Sequence, residues 1–206
     1  LLLSRIDGDR PGAAVELVSL TDFTVHHRWD LDPGALFTDL GRDADLSDAA
    51  QLTPARFRPM HPLLLADGRL VLHGQTSPIV ALDGCGGVAW RTGELTFHHS
   101  LNLDADGNFW APAMMRSDGD KTNADGTHDA LAKIGPDGGL LWSKTIADLL
   151  VENDMTYLIY HAYEKTPDPL HLNDIQPVLS DGPYWQKGDL FISLRTPSMI
   201  LLYRPS

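Results

Sequence analysis

Short runs in which apolar and polar residues alternate recur along the chain, and several are joined by an Asp-Gly pair. One run begins at His61 and reaches Asp67-Gly68, and another begins at His99 and reaches Asp106-Gly107. Alternation with a period of two is typical of a half-buried strand, and Asp-Gly supplies the positive φ values that a tight turn needs. Each run therefore predicts a β-hairpin.

A third copy of the hairpin begins at His171. Residues 180–186 interrupt it, and it resumes at Lys187-Gly188. The segment after each hairpin also repeats, as an apolar residue, a glycine-rich turn and then a tryptophan. These pairs are Leu82 with Trp90 and Ile134 with Trp142, eight residues apart, and a looser copy from Leu20 to Trp29, nine apart. The complete unit therefore predicts four short strands.

Four short strands repeated every 40 to 60 residues or so are typical of a β-propeller blade. We therefore predict an all-β chain, one partial propeller domain of about four blades. The predicted blades are residues 1–33, 57–95, 96–145 and 169–206. The segments 34–56 and 146–168 lack the alternation and predict insertions, in part short helices. The chain starts without Met and ends just after a strand, so we expect a piece of a longer propeller.

Composition narrows the classes of partner. There are 16 Lys and Arg against 28 Asp and Glu, a formal net charge of −12, which argues against nucleic-acid binding. No apolar run is long enough to span a membrane. The single cysteine, Cys85, cannot form an internal disulfide. Residues 118–129 distantly resemble a calcium loop but lack its Gly and its final Glu, so we predict neither a metal nor a cofactor.

Three histidines hold the same position in successive repeats. In a propeller the first strand of each blade lines the central channel, so His61, His99 and His171 are predicted to face one space. The alternative is that each only hydrogen-bonds a neighbouring blade. Arg195 closes an apolar strand, where a guanidinium needs an anion or a carboxylate. Asn173 is two residues from His171 and is expected on the same strand face.

Two stretches resemble the bacterial arylsulfotransferase family. The first is Phe97–Leu101 with Asp106–Trp110, and the second is His171–Gln176 with Gly188–Arg195. The resemblance implies a six-bladed propeller that moves a sulfuryl group from a phenolic sulfate ester to another phenol. It implies a ping-pong mechanism through a sulfated histidine, without a nucleotide sulfate donor. The small-molecule partners would be an aryl sulfate and a phenol, and the location would be the periplasm or cell envelope.

The resemblance also implies roles for particular residues. His99 and His171 would bind the sulfuryl group and shuttle protons, and Arg195 would clamp its oxygens. His61, His98 and Asn173 are the further substrate-binding candidates. His99 is preferred to His98 because it matches the repeat register of His61. The family's sulfated histidine follows the arginine in a later blade, so we expect it after residue 206 and expect these 206 residues alone to be inactive.

Two other functions fit a propeller. A binding or assembly module without catalysis is the main alternative, because a fold does not by itself specify an activity. A quinone-dependent dehydrogenase shares the tryptophan-ending repeat, but the sequence shows no Glu/Asn/Asp metal cluster for it. The sequence indicates no oligomeric state.

Overall fold

The computed structural model describes residues 1–6, 8, 12–38, 52–93, 95–116, 127–163 and 168–205. These residues form fifteen strands and three short helices, and the strand pairs within the described sheets are antiparallel. The predicted all-β class is confirmed. Contacts divide the chain into two compact units, Leu1–His98 and His99–Ser206. No described helix combines the length and the apolar character that crossing a membrane requires.

The first unit contains two sheets whose strands pair in sequence order. The first sheet consists of β1 (Leu2–Ile6), β2 (Ala13–Val18) and β3 (Val25–Leu31). A four-residue helix, α1 (Pro33–Leu36), follows it. The second sheet consists of β4 (Met60–Leu64), β5 (Leu70–His73), β6 (Ile79–Leu82) and β7 (Val88–Arg91). The short β8 (Thr96–Phe97) adjoins Ser77 through a backbone bond from Phe97 N to Ser77 O of 2.8 Å.

Local sequence explains these hairpins. Gly68 has φ of 87°, which a residue with a side chain rarely adopts, and the Asp67 carboxylate accepts the Arg69 N–H at 3.1 Å. The strands bury their apolar faces in one core that includes Val15, Leu70 and Val80. Trp29 packs in that core, and its indole N–H donates to the Asp83 carbonyl at 3.2 Å. The tryptophan that ends the repeat therefore joins the two sheets of this unit.

The second unit contains two further sheets and two helices. β9 (Asn102–Leu103), β10 (Phe109–Arg116), β11 (Thr127–Ile134) and β12 (Leu140–Thr145) pair in that order. Two helices follow, α2 (Ile146–Glu152) and α3 (Tyr157–Tyr163), inside the segment expected to be an insertion. The last sheet is β13 (Leu172–Pro177), β14 (Leu190–Leu194) and β15 (Met199–Tyr203).

Helix α2 belongs to the hydrophobic core of the second unit. The Thr145 hydroxyl accepts the Asp148 N–H at 3.0 Å and caps the helix N-terminus. Ile146 and Leu150 are completely buried against strand residues such as Leu131 and Ile192. Leu170 and Leu172, on either side of His171, belong to the same core as α2.

Candidate functional site

The three repeat histidines share an unusual backbone conformation. His61, His99 and His171 have φ of 39°, 60° and 48°, and they are three of the six non-glycine residues with positive φ in the described chain. An L-residue pays for this left-handed conformation, and such residues cluster at functional sites. The strand register shifts between Met60 and Leu63 in β4, and between Leu172 and Asp174 in β13, so His61 and His171 lie at or beside β-bulges.

The rings of His99 and His171 are in contact inside the second unit. Their centroids are 5.1 Å apart, and the ring planes meet at 85° in an edge-to-face arrangement. Both residues are half-buried. His171 immediately precedes β13, and His99 lies three residues before β9. The structure thus brings together two equivalent positions of the repeat.

A carboxylate that the sequence analysis did not single out holds His171. Asp168 Oδ2 accepts a hydrogen bond from His171 Nδ1, and Asp168 Oδ1 accepts the His171 backbone N–H at 3.1 Å. The Asp168 carbonyl in turn accepts the Thr196 hydroxyl at 3.1 Å. Since an ionised carboxylate has only acceptor atoms, the proton of this bond lies on Nδ1 of His171.

The backbone on either side of His171 is also fixed. The Arg195 N–H donates to the His171 carbonyl at 3.0 Å, and the Leu172 N–H donates to Asp129 Oδ2 at 2.5 Å. Asp129 is on β11, so the neighbouring sheet supports the first residue of β13. These bonds offset the cost of the left-handed conformation, because the N–H and carbonyl of His171 and the N–H of Leu172 all have partners.

The second ring nitrogen of His171, Nε2, is the one polar atom of this residue without a protein partner in the described part of the chain. Nε2 is buried and has no hydrogen-bond partner among the described residues, although 17% of the side chain is exposed. A buried polar atom without a protein partner costs free energy, and such atoms in native proteins call for an explanation in strain or chemistry. With Nδ1 occupied by Asp168, Nε2 is the atom that can exchange a proton with a ligand.

Arg195 is held opposite His171 at the end of the β13–β14 ladder. The strand ends at Leu194, and Arg195 begins a turn closed by the Ser198 N–H, which donates to the Arg195 carbonyl at 3.0 Å. The side chain is exposed rather than buried at a strand end. No carboxylate in the described part of the chain forms an ion pair with it, so its charge is available to an anion.

The other predicted site residues have different surroundings. Asn173 is half-buried at the bulge of β13, which interrupts the two-residue alternation, so the expectation that it shares a face with His171 lacks its basis. His61 and His98 belong to the first unit. The His61 side chain is exposed, and His98 is 8% exposed.

The possible calcium loop lies mostly outside the described residues, since 117–126 are not among them. Asp129, at its far end, instead accepts the Leu172 N–H. Within the described ranges there is no group of three or more His, Cys, Asp or Glu side chains placed to hold a metal ion.

Comparison with protein families identifies the chain. The model of the family described as Arylsulfotransferase (ASST) matches residues 61–206. The chain belongs to this family. The matched region runs from His61 to the end and includes every residue of the site around His171. No curated protein matches the sequence.

Sequence reasoning missed two residues that hold His171 and its neighbour, Asp168 and Asp129. A signal for Asp168 was present, because a carboxylate three residues before a histidine, in the Pro-rich stretch Pro167–Leu170, can fold back on the ring. Asp129 has no comparable signal: 43 residues separate it from Leu172, and only the packing of β11 beside β13 brings them together.

Proposed function

We propose that the complete protein is an aryl sulfate sulfotransferase. It transfers a sulfuryl group from a phenolic sulfate ester to a phenol in two steps through a sulfated histidine, at the periplasm or cell envelope. The observation that carries the proposal is the pair of contacting rings of His99 and His171, with Asp168 on one of them, inside the region matched by the family.

The residues suit the chemistry of sulfuryl transfer. The reaction resembles phosphoryl transfer, in which a loose transition state spreads negative charge over the equatorial oxygens. In this proposal Arg195, an exposed cation whose backbone N–H binds the His171 carbonyl, stabilises that charge. The departing phenolate needs a proton and the incoming phenol must lose one, and histidine performs both roles near neutral pH. In this proposal, His99 and His171 supply these functions.

We also propose that the four sheets are blades of a six-bladed propeller, with the predicted boundaries 1–33, 57–95, 96–145 and 169–206. The described sheets lie within these ranges, at residues 2–31, 60–91, 102–145 and 172–203. In each of the first three ranges the turn between the last two strands, here called the outer turn, contains one positive-φ residue. These residues are Phe23, Gly86 and Gly138. The recurrence of this turn supports one structural unit repeated along the chain.

The decisive experiment is an assay of the complete protein. Wild type should transfer sulfate from 4-nitrophenyl sulfate to phenol, and mass spectrometry of protein treated with the donor alone should detect a sulfated histidine. Arg195→Ala should lower kcat/KM by about 10²- to 10³-fold, comparable to the loss of one oxyanion-stabilising donor.

The matched control is Arg69→Ala. Arg69 pairs with Asp67 on a hairpin turn of the first unit, so its loss should leave turnover unchanged. Wild-type turnover in Arg195→Ala would remove Arg195 from the mechanism. A wild-type protein that forms no sulfated histidine and transfers no sulfate would instead favour a binding or assembly module.

A further inference from the structure

We propose that Asp168 is a positioning residue that fixes a proton on Nδ1 of His171, so that Nε2 is the atom which exchanges a proton with the phenolic oxygen. This inference rests on the proposed transferase function. Its structural basis is the contact of both Asp168 oxygens with one residue, Oδ2 with the ring and Oδ1 with the backbone N–H.

The geometry limits both the tautomer and the rotation of the ring. In neutral imidazole one nitrogen carries the proton and the other accepts, and the partner of one nitrogen decides which. The Asp168 carboxylate therefore selects the Nδ1–H form. Because the same carboxylate also binds the His171 N–H, a rotation of the ring would break a two-point attachment. The His99 ring, 5.1 Å away and nearly perpendicular, packs beside the ring of His171.

The other polar atoms of His171 are occupied by protein partners, whereas Nε2 has none within the described ranges. Nε2 is buried and lacks a partner among the described residues. The His171 carbonyl is occupied by the Arg195 N–H, and the next N–H by Asp129. Of the polar atoms of His171, Nε2 alone is left to act on a substrate.

The proton transfers balance over the two half-reactions. In the first, His171 begins as an imidazolium. The bond between sulfur and the aryl oxygen breaks, its electron pair goes to that oxygen, and the oxygen takes the Nε2 proton while the sulfuryl group passes to a histidine nitrogen. His171 is then neutral with Nδ1–H. In the second half-reaction Nε2 accepts the proton of the incoming phenol as its oxygen attacks sulfur, and the imidazolium is restored.

A spectroscopic experiment tests the tautomer independently of activity. In the complete protein with 15N-labelled histidine rings, two-bond 1H–15N correlation spectra of neutral His171 should show the Nδ1–H form. The signal is assigned by its loss in His171→Gln. Asp168→Ala should shift the ring toward Nε2–H. Asp106→Asn, which removes an exposed carboxylate from a turn, should leave the spectrum unchanged. An Nδ1–H signal that persisted in Asp168→Ala would overturn the positioning role.

Kinetics test whether this position serves proton transfer. A leaving group that is harder to expel depends more on a proton donor, so Asp168→Asn should lower kcat with phenyl sulfate at least about tenfold more than with 4-nitrophenyl sulfate. KM should change little, and Asp168→Glu, which retains a carboxylate, should recover part of the lost activity.

The outcomes separate the two proposals. An equal loss of kcat with both donors would show that Asp168 acts on structure alone and would contradict the inference. If wild type transferred sulfate from neither donor, the transferase function itself would fail, whereas the spectra would still decide whether Asp168 sets the tautomer of His171.

Discussion

At the scale of single residues, the backbone of the repeat histidines is the feature that sets them apart. An L-residue in the left-handed region costs about 1 to 2 kcal/mol. His61 has this conformation with an exposed side chain, so the cost is not offset by packing of its ring. This position therefore allows the strain to be measured apart from side-chain burial.

His61→Asn and His61→Val should differ in stability because of backbone conformation alone. Asn tolerates positive φ and should leave the free energy of unfolding unchanged or slightly raised, whereas the β-branched Val should lower it by about 1 to 2 kcal/mol relative to Asn. Urea denaturation of the complete protein measures both values. Equal stabilities of the two variants would mean that residue 61 does not adopt the left-handed conformation in solution.

The sequence predicted which histidines meet in the candidate site but not the backbone conformation that holds them. The register of the repeats was sufficient to select His99 and His171, and the structure brings their rings together. The left-handed φ of His171 was not predictable, because histidine has no intrinsic need for it and long-range contacts fix the backbone there. The bulge at Asn173 was not predictable either, because one extra residue in a strand changes the pattern of apolar positions very little.

At the scale of strands and helices, turn chemistry was the reliable signal. The Asp-Gly pairs at 67–68 and 106–107 lie in hairpin turns, as predicted, but positive φ occurs only at Gly68 and Gly107 and not at the aspartate before each of them. Helix α2 was indicated by its apolar spacing, and Ile146, Leu149 and Leu150 do face the core. Register was less predictable, because long-range packing decides where a strand shifts by one residue.

The hairpin of β14 and β15 is closed by a buried carboxylate. Leu190 pairs with Tyr203, so Asp189 and Arg204 are neighbours at the strand ends. Arg204 Nε and Nη2 donate to the two Asp189 oxygens, each at 2.7 Å, and the Gln186 N–H donates to one of them at 2.8 Å. The hydrogen bonds from Arg204, and then that from Gln186, lower the pKa of Asp189 from 3.8 to about 2.

Asp189→Asn should therefore reduce stability in a pH-dependent manner. A carboxyl whose pKa is lower in the folded state stabilises the fold above its unfolded pKa of 3.8, and this contribution is lost as the pH falls toward about 2. The Tm of the variant should be below that of wild type at pH 7, and the difference should shrink between pH 4 and pH 2. Asp106→Asn, on an exposed turn, should alter Tm little at any pH. A difference that stayed constant with pH would contradict the role of the ionised pair.

At the scale of the whole molecule, the proposed propeller requires a particular relation among the outer turns. Asp22, Cys85 and Asp137 are exposed, and each immediately precedes the positive-φ residue of its turn, in three successive sheets. In a six-bladed propeller, equivalent points lie on a circle at equal angular steps. The distance between the first and third turns should then be about 1.7 times the distance between neighbouring turns.

Spin labels on these turns distinguish the propeller from other arrangements of the same sheets. Cys85 is the only cysteine of the 206 residues. With any cysteine outside them changed to Ser, Asp22→Cys and Asp137→Cys give the two neighbouring pairs, and both changes with Cys85→Ser give the outer pair. Pulsed electron spin resonance on the complete protein measures the three distances. A propeller gives two equal distances and a third about 1.7 times longer, whereas a linear stack of repeats gives a ratio of about 2. Unequal neighbouring distances would exclude the proposed blades, and with them the common channel in which His61 would join His99 and His171.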